Sequence, residues 1–318
     1  MTAPGRPILP GLSAYRSELA AAGAPTPLPL VPFASAGLLA GLPAPPPGRT
    51  GWPWTVETAP FASEVAAWPL ITIVTPSFKQ VEFLEESIRS VLLQNYPRLE
   101  FVIMDGGSPD GSAALIEKYR PWLSFARSAA DRGQSHALNL AFSLAGNGGL
   151  RGWLNSDDLY LPGALHHIAL ASTSPRRPTL LIGNYAIRRP GQAGDTPADF
   201  IRPVYAWEIY AGGLHLPSHA TFWADTIHQP LDESLHFIMD ADLFKRLARD
   251  GARPVFLSRL LAVYRDHPGS KTSTILPVAR RETAEWIARA PRRVHWLWRA
   301  HRSLRLLRRC RARISLLP

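Results

Sequence analysis

The sequence predicts an α/β fold built on a mostly parallel central sheet. Three observations carry this. From residue 70 onward, short apolar runs of strand length alternate with segments of helical periodicity. Each apolar run stops at a polar turn rich in Gly, Pro, Ser or Asp. The 318 residues are 46% hydrophobic, enough to build a substantial core and to exclude a wholly disordered chain.

The elements follow in order. Leu70 to Thr75 is a buried strand that ends at Pro76. Val81 to Leu93 is a helix, with Phe83, Leu84, Ile88, Val91 and Leu92 on one stripe. Leu99 to Met104 is a second buried strand, running into the turn Asp105-Gly-Gly-Ser-Pro-Asp-Gly111. A helix from Ser112 to Tyr119 follows, with Asp110 or Ser112 as its cap. Gln134 to Leu144 predicts a helix, Leu150 to Leu154 a strand, and Pro162 to Ala171 a helix with proline in its first turn. Leu180 to Gly183 is another strand, and residues 186–217 read as irregular. Asp240 to Asp250 is a helix stopped by Gly251, and Val255 to Val263 adds a final strand. No internal repeat is visible.

Both flanks differ from this body. Thirteen of the 31 prolines lie in residues 1–60, so residues 1–68 read as a flexible, partly disordered Pro/Ala-rich arm. Within it, Thr50-Gly-Trp-Pro-Trp-Thr55 is rich enough in aromatics to dock on the body. Residues 19–48 carry no charge, but prolines interrupt them too often for a membrane-spanning helix. No signal peptide is evident at the start, which points to a cytoplasmic protein. The net charge of +10 sits in residues 280–318, which hold twelve Arg against Glu282 and Glu285. A basic core face for nucleic acid is therefore not expected. Residues 275–318 read as a basic, amphipathic helical tail rich in Trp and Leu. It suits either an anionic membrane surface or packing on the domain or on a second subunit. The single Cys310 excludes an intrachain disulfide and a cysteine-based zinc cluster.

In open α/β sheets ligands bind at the carboxyl ends of the strands. The polar residues there are Thr75-Pro76-Ser77, Asp105-Gly-Gly-Ser108 and Asn155-Ser-Asp-Asp158. Neither a GxGxxG fingerprint nor a GxxxxGK[ST] loop is present. Adjacent Asp157 and Asp158 after an apolar strand are costly unless solvated, hydrogen-bonded or bound to a cation, and oxygen donors suit Mg²⁺ or Mn²⁺. A turn leading into the next helix is the competing account of the same residues.

Six blocks in order carry a family resemblance. They are Ile73 to Gln80, Phe83 to Leu92, Asp105 to Ser112, Asp131-Arg-Gly-Gln-Ser135, Gly152 to Tyr160 and Phe237 to Leu243, followed by His267 to Thr272. Together they resemble family 2 glycosyltransferases of the GT-A fold, of the kind that build bacterial polysaccharides and glycans. The resemblance implies a Rossmann-like sandwich over residues 69–274. It implies an inverting, metal-assisted transfer of a sugar from a nucleotide-diphosphate donor to a glycan or lipid-linked acceptor, and with the basic tail a peripheral place at the inner face of the cell membrane.

Carried over residue by residue, Thr75, Pro76, Ser77, Asp105 and Arg132 would contact the nucleotide. Asp157 would bind a divalent cation, Mg²⁺ or Mn²⁺, with Asn155 standing where the family has a first carboxylate. Asp158 and His219 would face sugar or acceptor. Arg265, His267 and Lys271 would clamp the diphosphate, and Asp240 would be the general base, preceded by Met239 where the family has Glu. The departures at 155 and 239 keep open a degenerate, non-catalytic sugar-nucleotide-binding protein. A nucleotidyltransferase on a similar sheet is the other alternative, but its Gly-rich basic first loop is missing.

Overall fold

The computed structural model describes residues 11–60, 68–173, 179–192, 194–198, 209 and 216–288. Nine strands form one sheet in the order β3-β2-β1-β4-β8-β6-β9-β5, with β7 paired to β6. The strands are β1 (Ile71–Ser77), β2 (Leu99–Asp105), β3 (Phe125–Ser128), β4 (Leu150–Trp153), β5 (Leu159–Tyr160), β6 (Leu180–Arg188), β7 (Thr196–Pro197), β8 (Thr221–Ala224) and β9 (Pro254–Arg265). β1, β2, β3, β4, β6 and β9 run one way, and β5, β7 and β8 the other. The mostly parallel sheet is therefore as expected.

Strand alternation sorts the core into two layers. Ile71, Ile73, Phe101 and Ile103 point to one face. There they meet Leu84, Ile88, Val91 and Leu92 of α2 (Val81–Leu92) and Leu165 and Ile168 of α5 (Ala164–Ser172). Val74, Val102 and Met104 point to the other face. They meet Leu138 and Phe142 of α4 (Gln134–Leu144) and Leu243, Phe244 and Leu247 of α6 (Met239–Arg249). Burial on both faces explains why β1 and β2 read as unbroken apolar runs. The first layer also takes in Ile116 and Tyr119 of α3 (Ser112–Tyr119).

The N-terminal segment departs from the flexible arm that its prolines suggested. Residues 12–21 form a helix, α1 (Leu12–Ala21), whose Tyr15 and Leu19 are buried beside α4. The Pro-rich stretch then lies along the sheet and its flanking helix. Val31 N–H donates to the Leu99 carbonyl (2.8 Å) and Thr58 N–H to the Leu93 carbonyl (2.9 Å). The aromatic segment docks as expected, with Trp54 buried and Trp52 Nε1 donating to the Tyr160 carbonyl (2.8 Å). Proline-rich backbone has few N–H groups to satisfy, so it can be laid on a surface without a partner strand.

One fully buried side chain fixes this strap. Arg89 of α2 donates to the carbonyls of Pro43 (2.8 Å), Pro53 (2.9 Å) and Trp54 (2.9 Å) and to Tyr119 Oη (3.2 Å). Arg89→Met would leave those carbonyls buried without a donor. We expect a loss of about 3 kcal/mol or more in urea unfolding, because each unsatisfied buried group costs roughly 1–3 kcal/mol.

After β9 come α7 (Lys271–Thr274) and α8 (Leu276–Ala288). The expected tail thus begins as a helix whose Glu282 is buried against the domain, so the boundary placed at residue 274 cuts through packed structure. Residues 289–318, and with them Cys310 and most of the basic tail, lie outside the described residues. No helix among the described residues is long and apolar enough to cross a membrane.

Candidate active site

The six co-directional strands bring Ser77, Asp105, Ser128, the 155–158 turn, Arg188 and Arg265 to one edge of the sheet. At the β1 end, Thr75 Oγ1 and Ser77 Oγ are buried and have no hydrogen-bond partner among the described residues. Such groups are rare in a finished core and common where a ligand completes the site.

Asp105 is the opposite case. Its Oδ1 accepts from Ser108 Oγ (2.6 Å). Its Oδ2 accepts from Ser128 Oγ (2.6 Å), Ser108 N (2.9 Å) and Gly107 N (3.2 Å). The carboxylate is occupied in holding the 105–108 turn. Arg132, on the loop after β3, donates from Nε to Glu233 Oε2 (3.0 Å).

The 155–158 turn is built from below. Arg265, buried at the end of β9, donates from its backbone N to Asp158 Oδ1 (3.0 Å) and from its guanidinium to the Asp157 carbonyl (2.8 Å). Its Nη2 pairs with Glu86 (2.7 Å), and Glu86 also receives Arg188 (3.0 Å). Arg265 therefore shapes the turn rather than offering a free phosphate clamp. Asp158 is fully buried and accepts from Asn155 Nδ2 (3.2 Å). Burial and the Asp157 charge push its pKa up, while Arg265 pulls the other way.

Asp157 is more open and lies 3.2 Å from His267 Nε2, whose ring packs on Phe83. Asn155 Oδ1 accepts from Gln134 Nε2 (2.8 Å), and Gln134 Oε1 accepts from Lys271 Nζ (2.6 Å). The 155–158 turn is thus brought beside His267 and Lys271, more than a hundred residues away in sequence. Burial lowers the Lys271 pKa, and the charges of Asp240 and Glu282 raise it in part. His219 Nδ1 lies 3.8 Å from Asp158 Oδ2, and the His219 ring sits between Tyr185 and Tyr264. Burial takes its pKa down to about 4, so it is neutral near pH 7.

Asp240 is half-buried in the first turn of α6, where its Oδ1 accepts from Ala241 N (2.7 Å) and its charge acts on Lys271. Asp242 turns instead to Arg246 (2.6 Å). The entry to α6 is held by a residue that no local pattern singles out. Glu282 of α8 accepts from the backbone N–H groups of His236 (2.8 Å), Phe237 (2.8 Å) and Ile238 (3.2 Å). Met239, in place of a carboxylate, is buried and its Sδ accepts from Ser135 Oγ (2.9 Å).

Residues 72–194 match the family described as Glycosyl transferase family 2. Residues 72–194, about two fifths of the chain, are thus similar to a family 2 glycosyltransferase domain. An uncharacterized glycosyltransferase of Rickettsia typhi is 24% identical over 230 residues, covering 69% of this chain and 70% of that protein. TuaG of Bacillus subtilis, a glycosyltransferase named for teichuronic acid biosynthesis, is 35% identical over 51 residues, 16% of this chain and 20% of that protein. A glycosyltransferase of Rickettsia bellii is 27% identical over 38% of this chain, and that match spans only 18% of its own length. The fold is that of S. aureus TarS solved with UDP-GlcNAc. The TM-score is 0.54 at 18% identity, over 69% of this chain and 65% of that one.

Proposed function

We propose that the chain is an inverting glycosyltransferase that takes a sugar from a nucleotide-diphosphate donor and passes it to a glycan or lipid-linked hydroxyl. The observation that carries this reading is the convergence of Asp157, His267, Lys271 and Asp240 at the carboxyl edge of the sheet in a family 2 domain. The TarS complex with UDP-GlcNAc supports the donor class.

The acceptor hydroxyl attacks the anomeric carbon as its bond to the diphosphate oxygen breaks, through an oxocarbenium-like state. Asp240 takes the hydroxyl proton, and the nucleoside diphosphate departs with the bonding pair. Lys271, desolvated and aimed at the 134–155 pair, offsets charge growing on the leaving group. Asp158 and neutral His219 line the sugar side, and Thr75 and Ser77, with their unsatisfied hydroxyls, the nucleoside side.

The donor set suits a divalent cation. Asp157 offers a carboxylate beside the His267 imidazole, and the Asn155 amide oxygen is shared with Gln134. No group of three or more His, Cys, Asp or Glu among the described residues could hold an ion alone. Diphosphate oxygens and water would have to complete the shell, as is usual for Mg²⁺ and Mn²⁺. The ion would supply charge stabilisation for the leaving diphosphate. The exchange of acid for neutral residues at Asn155 and Met239 favours one rival, a sugar-nucleotide-binding protein without turnover.

A thermal-shift screen of UDP, dTDP, GDP, CDP and ADP, each with and without Mn²⁺, tests the reading. At a hundredfold excess over its dissociation constant, a bound nucleotide stabilises by about 2.7 kcal/mol, so the melting temperature should rise by roughly 5 °C or more. The shift should be larger with Mn²⁺. No shift with any nucleotide would remove the donor reading. A shift without nucleoside diphosphate release from any donor sugar would favour the binding protein.

A further inference from the structure

Asp105 accepts four hydrogen bonds, three from its own turn and one from Ser128 Oγ of β3, so most of its acceptor capacity is already committed. A second carboxylate reaches the same place. A Cβ at Gly106 would lie 3.3 Å from Asp131 Oδ2 and 3.2 Å from the Phe78 ring. The bare backbone at 106 is thus flanked by an acid from the loop after β3 and by an aromatic ring that is 54% exposed. Asp131 Oδ1 accepts from Gly133 N (2.7 Å), which anchors the side chain and leaves Oδ2 turned toward Gly106. Burial and the neighbouring Asp105 charge push the Asp131 pKa up, while Gly133 N–H, His136 and Arg127 lower it.

Building on the donor reading above, we propose that Asp131, rather than Asp105, is the base-reading residue of the donor site, and that it selects a uracil-type imide. The chemistry follows from the acceptor count. An ionised carboxylate can only accept hydrogen bonds. Uracil and thymine present a single N3–H at the centre of the pairing edge, which one free oxygen satisfies. Guanine presents adjacent N1–H and N2–H donors, which ask for both oxygens, and Gly133 already holds one of them. Cytosine places an acceptor at N3, which the carboxylate repels. Phe78, exposed and carrying the Lys79 ammonium 5.0 Å from its ring centroid, offers an aromatic surface against which the base packs. Glycine at 106 leaves this space open, since a Cβ there would press on Asp131 and Phe78 and oblige them to shift by a few tenths of an ångström.

The test is calorimetric titration of UDP, CDP and GDP, with Mn²⁺ present, into the wild-type chain and into Asp131→Asn. Wild type should bind UDP at least tenfold more tightly than CDP or GDP. Asp131→Asn presents an N–H that cytosine N3 can accept, so the ratio of UDP to CDP affinity should fall at least tenfold. The ligand-free melting temperature should stay near that of wild type, since Asp131 is only half-buried. A structural role alone would weaken both nucleotides together and leave the ratio unchanged, which would overturn the assignment. Equal or tighter binding of GDP by wild type would overturn the choice of base. If wild type binds none of the three, nor dTDP nor ADP, the donor reading itself fails, and this inference with it.

Discussion

Asp240→Asn should lower turnover by about 10²–10⁴-fold, the range typical for removing a general base. Nucleotide affinity should change little. The substitution is nearly isosteric, and the amide oxygen can still accept from Ala241 N, which Asp240 Oδ1 does in the native chain. In the proposed mechanism, what disappears is the capacity to take a proton from the attacking hydroxyl. The charge that helps keep Lys271 protonated is lost too, but Glu282 acts on the same ammonium and partly compensates. Asp242→Asn is the matched control. Its carboxylate lies one turn from Arg246 and binds that side chain at 2.6 Å, so removing it should cost some stability and leave turnover near wild type. Turnover is read as nucleoside diphosphate released, and folding as the melting temperature. If Asp240→Asn kept more than a tenth of wild-type turnover, the base would have to be sought elsewhere at the sheet edge.

The sequence was most legible where local rules act alone. Segments buried on both faces read as apolar runs, so β1, β2 and β4 were found almost to the residue, and α3 and α4 matched their expected limits. Short strands escaped. β3 (Phe-Ala-Arg-Ser) and β8 (Thr-Phe-Trp-Ala) are only four residues long and owe their conformation to the neighbours they pair with. The N-terminal strap escaped for a related reason. Its prolines signal the absence of regular structure, but nothing local shows that Arg89 waits to receive its carbonyls.

The candidate site divides in the same way. Asp157, Asp158 and Asp240 could be chosen because acids at strand ends and helix starts stand out in any sequence. Their partners could not. Arg265, 107 residues from Asp158, reads in sequence as a phosphate ligand, yet its buried guanidinium and backbone N–H shape the turn beneath. Asp131 has no local signal that sets it apart from Arg132 beside it, and only its approach to Gly106 draws attention to it. Fold position is written in periodicity, whereas the pairing of side chains a hundred residues apart is written only in the folded packing.

Glu282→Ala should show how far that packing reaches into function. Glu282 lies beyond the segment that reads as the catalytic domain, in a stretch whose arginines suggested a surface tail. Its buried carboxylate nevertheless receives three consecutive backbone N–H groups, of His236, Phe237 and Ile238, immediately before the helix that carries Asp240. These N–H groups lead into α6, the last of them belonging to its N-cap Ile238. Alanine leaves them to water or to nothing, and a loss of about 3 kcal/mol is expected because charged acceptors contribute roughly 1.5–3 kcal/mol each and do not add fully. The larger consequence is geometric. With its entry released, the first turn of α6 can shift, and a displacement near 1 Å at a reacting group can cost about 10²-fold in rate. Turnover should therefore fall by roughly 10–100-fold with donor affinity nearly unchanged, since the 155–158 turn keeps its own supports in Arg265 and Glu86. Glu282→Gln retains an acceptor oxygen and should recover part of both losses. If Glu282→Ala melts lower but turns over at the wild-type rate, Glu282 braces the fold and nothing more. If turnover falls and glutamine restores it, the helix after the last strand belongs to the catalytic unit, and truncations at residue 274 would remove the brace on which Asp240 depends.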